Sequence, residues 1–157
     1  MKKYYLFIVL IFLTQCDYKP IYSQNDQNFG IRIIEFNENR SNKILAARLE
    51  NYSNKKSNLF LYELKLQTSE DKFVLSKDTK GDPLLLGLKI NLKIEVYEND
   101  KLVTKKEYNE QFNYQNLSKK FELNSYESEI RLNIYDKMIS EILIDLTNLK
   151  WFLNPLR

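Results

Sequence analysis

The chain has 157 residues, with 24 Lys and Arg against 21 Asp and Glu, and no histidine. That is one domain's worth of chain, and a near balance of charge gives no field to draw nucleic acid. Without histidine and with a single cysteine, Ser–His, Cys–His and His-ligated zinc chemistry are excluded, and three glycines in no phosphate-cradling spacing leave no nucleotide loop.

The first element is a leader. Lys2 and Lys3 precede ten mostly apolar residues, Tyr4 to Leu13. Such a run is too short to cross a bilayer core of about 30 Å, which takes roughly 20 helical residues, and it has the layout of an export signal. Leu13-Thr14-Gln15-Cys16 resembles the lipobox of bacterial lipoproteins, although Gln15 stands where Gly, Ala or Ser is usual. In that motif the cysteine thiol receives a diacylglyceryl group and becomes the first residue of the mature chain. An exported protein gains nothing else from one unpaired cysteine. Residues 1–15 are therefore expected to be a signal peptide and Cys16 the lipidation site, where two or three acyl chains anchor far more firmly than one. Removing the leader takes two lysines and leaves 22 basic residues against 21 acidic ones.

Residues 16–28 are polar, contain Pro20 and show no apolar period, as a lipidated tether would. A single domain is expected over 29–157. Phe29, Ile31 and Ile33 alternate, followed by Ile34 and Phe36, which predicts a strand over Phe29–Phe36. Ser41 is a candidate N-cap for a helix to about Asn54, with Ile44, Leu45, Leu49 and Tyr52 at helical spacing. Leu59 to about Ser76 is strand-like. Phe60, Tyr62, Leu64 and Leu66 share one parity there and Phe73 and Leu75 the other, so a bulge is expected near Ser69–Lys72.

The strongest periodicity follows. Leu84, Leu86, Leu88, Ile90, Leu92, Ile94 and Val96 are all even-numbered, with Lys89, Asn91, Lys93 and Glu95 between the later ones. This is a half-buried strand, polar on one side. Asn99-Asp100 suits a two-residue hairpin turn, because both residues tolerate positive φ. The returning strand runs to about Tyr114, with Leu102, Thr104, Tyr108 and Phe112 on one face. A last helix is predicted from Asn124 or Ser125 to Leu149, with a stripe of Ile130, Ile134, Met138, Ile142, Leu146 and Leu149. Trp151-Phe152-Leu153 after it could cap the sandwich or dock on a partner's wall.

This order predicts an α+β fold, a two-layer βαβββα sandwich whose four-stranded mixed sheet carries both helices on one face. The other face, with Lys89, Asn91, Lys93 and Glu95, would be wet or apposed to a partner. Carboxylate pairs on solvated faces are mostly charge. No catalytic residue, metal ligand or cofactor is expected, and the chain does not read as an enzyme.

Cys16-Asp17-Tyr18-Lys19-Pro20-Ile21-Tyr22 is similar to the mature N-terminus of short members of the LPS-assembly lipoprotein family, LptE. Those begin with Cys, a small residue, an aromatic, any residue, then Pro-Leu-Tyr. The resemblance continues through an "ARLENY"-like stretch at Arg48–Tyr52, the alternating strand, the hairpin, "FNYQNLSKKF" ending the next strand, and an acid at Glu129 in the last helix. It implies an outer-membrane lipoprotein that plugs the lumen of the lipopolysaccharide-translocon β-barrel, LptD-like, assists its assembly and contacts lipopolysaccharide. It also implies that Lys77, Lys80, Lys119 and Lys120 are candidate lipopolysaccharide contacts. An arginine that short members carry before the alternating strand has no counterpart, since Asp82-Pro83-Leu84-Leu85 stands there.

Asp17 follows the cysteine directly, and in some bacteria Asp there retains lipoproteins at the inner membrane. The alternative function is accordingly an auxiliary lipoprotein of an envelope ABC-type lipid transporter. A periplasmic module for a small ligand is a third reading, for which the sequence shows no convergent polar cluster.

Overall fold

The computed structural model describes residues 29–36, 39–52 and 61–153. The leader, Cys16 and the tether lie outside them. Within them the order is β1 (Gly30–Phe36), α1 (Arg40–Asn51), β2 (Leu61–Lys77), β3 (Pro83–Glu98), β4 (Lys101–Gln115) and α2 (Lys120–Leu153). The strands form one sheet in sequence order. β1 pairs with β2 in parallel and the other two pairings are antiparallel. A parallel pair needs a crossover, and α1 supplies it. This is the expected α+β sandwich with a mixed sheet.

The even-numbered side chains of β3 explain where the core sits. Leu86, Leu88, Ile90, Leu92, Ile94 and Val96 are buried together with Tyr62, Leu64 and Leu66 of β2, and with Tyr108 and Tyr114 of β4. Leu45, Ala46 and Leu49 of α1 and the α2 stripe from Ile130 to Leu146 close over them. Leu84 departs from the expected row, being 53% exposed at the end of the sheet.

The parity change within β2 has a different cause from a bulge at Ser69–Lys72. The β2–β3 register is unbroken from Glu63 opposite Tyr97 to Val74 opposite Leu86, and the irregularity falls between Val74 and Lys77. Phe73 therefore stays on the uncovered face. It stands directly opposite Gly87, and its ring lies over that glycine so closely that a Cβ there would sit 2.5 Å from it. In β1 the register breaks between Ile33 and Glu35. That break is where the sequence changes parity, and it leaves Ile34 exposed.

Helix boundaries also shift. Asn39, not Ser41, caps α1: its side chain accepts from the Asn42 N–H at 2.7 Å and donates to the Thr68 carbonyl at 3.2 Å. Ser41 instead turns its hydroxyl toward Glu70 at 3.4 Å. α1 ends at Asn51, short of Asn54, with Tyr52 as its C-cap. Asn99 and Asp100 have φ of 51° and 61°, the primed turn that a tight hairpin requires. A break in the β3–β4 register places Leu102 opposite Tyr97, off the face of Thr104 and Tyr108. α2 begins at Lys120 and runs through Leu153, so residues 151–153 continue the helix instead of following it.

Candidate interaction surfaces

The turn between β2 and β3 is held by Asp78. Its carboxylate accepts from the backbone N–H of Lys80 and of Asp82, both at 2.8 Å. Its own N–H donates to the Asp82 carbonyl at 2.8 Å, and its carbonyl accepts from Gly81 at 3.1 Å. Gly81 has φ +91°, a conformation that favours glycine. This closed loop presents Lys77 and Lys80 at the tip of the hairpin.

β4 ends at the same place. Gln115 lies opposite Leu85, the Asn116 N–H donates to the Leu84 carbonyl at 2.9 Å, and the Asn116 side chain donates to the Pro83 carbonyl at 2.8 Å. Three residues later Lys119 precedes α2 and Lys120 begins it. The register thus brings both lysine pairs to one end of the sheet. Lys119 is paired with Glu122 at 2.8 Å. Lys77, Lys80 and Lys120 are exposed and form no ion pair among the described residues.

Glu129 is exposed, while Glu127, two residues earlier, is buried. Its carboxylate is ion-paired with Lys72, accepts from the Tyr114 hydroxyl at 2.8 Å, and lies 3.8 Å from Arg131. Arg131 also reaches Glu70 at 2.7 Å. Burial pushes the Glu127 carboxyl up, but the hydrogen bonds from Lys72 and Tyr114 and the nearby positive charges outweigh it and hold it below its ordinary value. Burial, then the bond to Glu127, pushes the Tyr114 phenol up. With its oxygens engaged in this way, Glu127 is suited to tying α2 to the sheet, not to accepting a proton from a substrate. Sequence reasoning missed it; the one local signal was an acid four residues before Arg131, which is common on any helix.

The uncovered face is largely polar between Phe73 near one end and Leu102 near the other. Lys65 pairs with Glu35 and Lys105 with Glu95. Tyr97 donates to Glu95 at 2.7 Å, and Lys65 lies over the Tyr97 ring at 5.5 Å. The bonds from Lys105 and Tyr97 lower the Glu95 carboxyl, as those from Asn91 and Asn109 lower Glu107. Asn91 donates to Asn109 at 2.7 Å, and Gln111 to Asn113 at 2.9 Å. A groove of about 570 Å³ crosses this face beside Lys65, Lys93, Glu95, Lys105 and Glu107. A second, of about 540 Å³, runs between the helices past Arg40, Ser41, Glu70 and Arg131. Among the described residues no group of three or more Cys, Asp or Glu could hold a metal, and no helix is long and apolar enough to cross a membrane.

No family model matches the chain, and no curated protein matches it in sequence. Solved structures do match in fold. Rare lipoprotein B from Shewanella oneidensis superposes with a TM-score of 0.56 at 14% identity, over 78% of this chain and 98% of that one. A lipoprotein structure from Caulobacter crescentus CB15 gives 0.59 at 14% identity, over 81% of this chain and 93% of that one. The minor lipoprotein of Acinetobacter baumannii gives 0.51 at 11% identity, over 78% of this chain and 91% of that one. At such identity the likeness establishes the shared fold.

Proposed function

We propose that this chain is an envelope lipoprotein, held by acyl chains on Cys16, that binds and plugs the lipopolysaccharide-translocon β-barrel of the outer membrane. In this reading it assists assembly of the barrel and insertion of lipopolysaccharide at the cell surface. The observation that carries the reading is the fold it shares with rare lipoprotein B along 98% of that chain. The uncovered face supports it: amides and paired charges suit the polar lumen of a large barrel better than a lipid or an apolar partner. Lys77, Lys80, Lys119 and Lys120 serve as lipopolysaccharide contacts at the hairpin end. Asp17, directly after the anchor, favours the second reading, an auxiliary lipoprotein of an ABC-type lipid transporter at the inner membrane.

One experiment separates the two. The protein is captured from detergent-solubilised envelope, and barrel assembly in a deletion strain is followed by heat-modifiable migration on a gel. A co-purifying β-barrel and a reduced amount of its assembled form are expected. A transporter ATPase or substrate-binding subunit in the capture, with normal barrel assembly, rejects the plug role in favour of the second reading.

A further inference from the structure

Ten large apolar side chains are exposed among the described residues. Scattered singly, such side chains are ordinary; gathered in one place they mark a contact surface. Five of them gather at the hairpin end. Val74 and Leu75 come from the end of β2, Leu84 from the start of β3, and Phe121 and Tyr126 from the first turns of α2. The register links them, since Val74 is opposite Leu86 and Leu86 opposite Tyr114, whose ring meets Tyr126 edge-on at 6.1 Å. Phe121, next to Lys119 and Lys120, is 82% exposed. The same end carries the four lysines, three of them without an ion pair, against three acids. Asp78 is engaged in the turn and Glu122 with Lys119, while the exposed Asp82 forms no ion pair among the described residues, so the lysines outnumber the acids by one.

Outward apolar side chains rimmed by ammonium groups match one environment, the boundary between acyl chains and anionic headgroups, where lysine stems lie along apolar surface and their heads meet phosphate. The two larger grooves lie elsewhere, on the uncovered face and between the helices. The side chains at this end project from three elements, β2, β3 and α2. We propose that the hairpin end docks onto an anionic phospholipid bilayer, with Phe121, Leu84 and Leu75 entering the headgroup–acyl boundary and Lys77, Lys80, Lys119 and Lys120 meeting lipid phosphates. At such a surface each lysine strengthens binding by roughly fivefold.

The tether leaves from the opposite end. Gly30 pairs with Leu61, and Lys77 lies sixteen residues further along β2, a run of about 50 Å at strand spacing. Twelve tether residues, 17–28, reach at most about 40 Å. A chain anchored at Cys16 therefore docks by lying inclined along the bilayer, held at both ends. This contact draws on the same four lysines as the lipopolysaccharide contact proposed above, and the two are tested apart: the vesicle experiment decides the bilayer contact and the capture experiment the barrel reading.

The test uses full-length protein reconstituted into vesicles whose acyl chains are brominated, made either with phosphatidylglycerol or with phosphatidylcholine alone. Tryptophan reports from Phe121→Trp, or from Asn91→Trp in the middle of the uncovered face, each in a Trp151→Phe background. Variants are accepted when their thermal transition matches that of the parent. With phosphatidylglycerol, Phe121→Trp is expected to lose most of its emission while Asn91→Trp keeps its own. Combined replacement of Lys77, Lys80, Lys119 and Lys120 by Gln should restore most of the loss. An unquenched Phe121→Trp overturns the proposal, as does quenching that ignores lipid charge, and as does equal quenching at both positions.

Discussion

Ile90 and Lys89 are neighbours in the chain and opposite in environment. Ile90 has no exposed surface and packs under the helices, whereas Lys89 points to water from the other face. Ile90→Asp should cost several kcal/mol, a large part of a typical stability of about 5–15 kcal/mol. Lys89→Asp should cost about 0.5 kcal/mol or less. Urea titrations of the two variants check the face assignment, which equal losses would overturn. Glu127 gives a second test at this scale. Its folded carboxyl titrates below its ordinary value of 4.5, so its contribution is complete above that pH and lost as pH falls through the folded value. Glu127→Gln should therefore cost about 1–3 kcal/mol at neutral pH and flatten the decline of stability below pH 4.5. Thermal unfolding from pH 7 to 3 reads both effects, and parallel pH profiles for parent and variant would remove Glu127 as their cause. In sequence, Glu127 and Glu129 are indistinguishable helix acids. Only the docking angle of α2 buries one and exposes the other.

At the scale of elements, legibility followed how strictly a pattern was imposed by burial. β3 was readable because it is central in the sheet, with helices on one side and polar surroundings on the other, so each side chain obeys the pleat. The Asn99-Asp100 turn was readable because its backbone conformation restricts which residues fit. The start of α2 was not, because its first turn carries Lys120 and the exposed Phe121, and the buried apolar stripe begins only at Ile130. The N-cap was misassigned because Asn39 and Ser41 are equally good candidates locally, and the choice is made by the Thr68 carbonyl on another element. Phe73 was read correctly as opposite in parity but wrongly as evidence of a bulge, since sequence alone does not reveal that it faces Gly87. That pair is testable. Gly87→Ala forces the Phe73 ring aside, and overpacking of this kind costs about 1–3 kcal/mol. The ring's free end can swing toward solvent, so the lower part of that range is expected. In a Phe73→Ala background the same change should cost clearly less, and a double-mutant cycle with no coupling would show that the ring does not cover the glycine.

For the whole molecule, the proposed role is one of contact, and the charge balance fits it: with residues 1–15 set aside, 22 basic residues stand against 21 acidic ones, and among the described residues the buried Glu127 is committed to structure. The lysines at the hairpin end were picked out by family resemblance and not by any local pattern, and their gathering at one end follows from the register of β2, β3 and β4. The apolar residues beside them were invisible, because an aromatic such as Phe121 at helical spacing ordinarily belongs to a core. If that end meets lipopolysaccharide, reversing Lys77 and Lys80 together to Glu should weaken binding of a purified anionic glycolipid. Each exposed contact is worth about 1 kcal/mol or less, so the double change should raise Kd by roughly tenfold, measured by titration with detergent-dispersed glycolipid at low salt. Neither lysine has an ion-pair partner to lose among the described residues, so the melting temperature should stay with that of the parent, which separates lost contact from lost fold. High salt should shrink the difference, because the charges are exposed and screened within about 10 Å at 0.1 M. Equal affinities for parent and double variant at low salt would leave a scaffold whose lysines at this tip are passive.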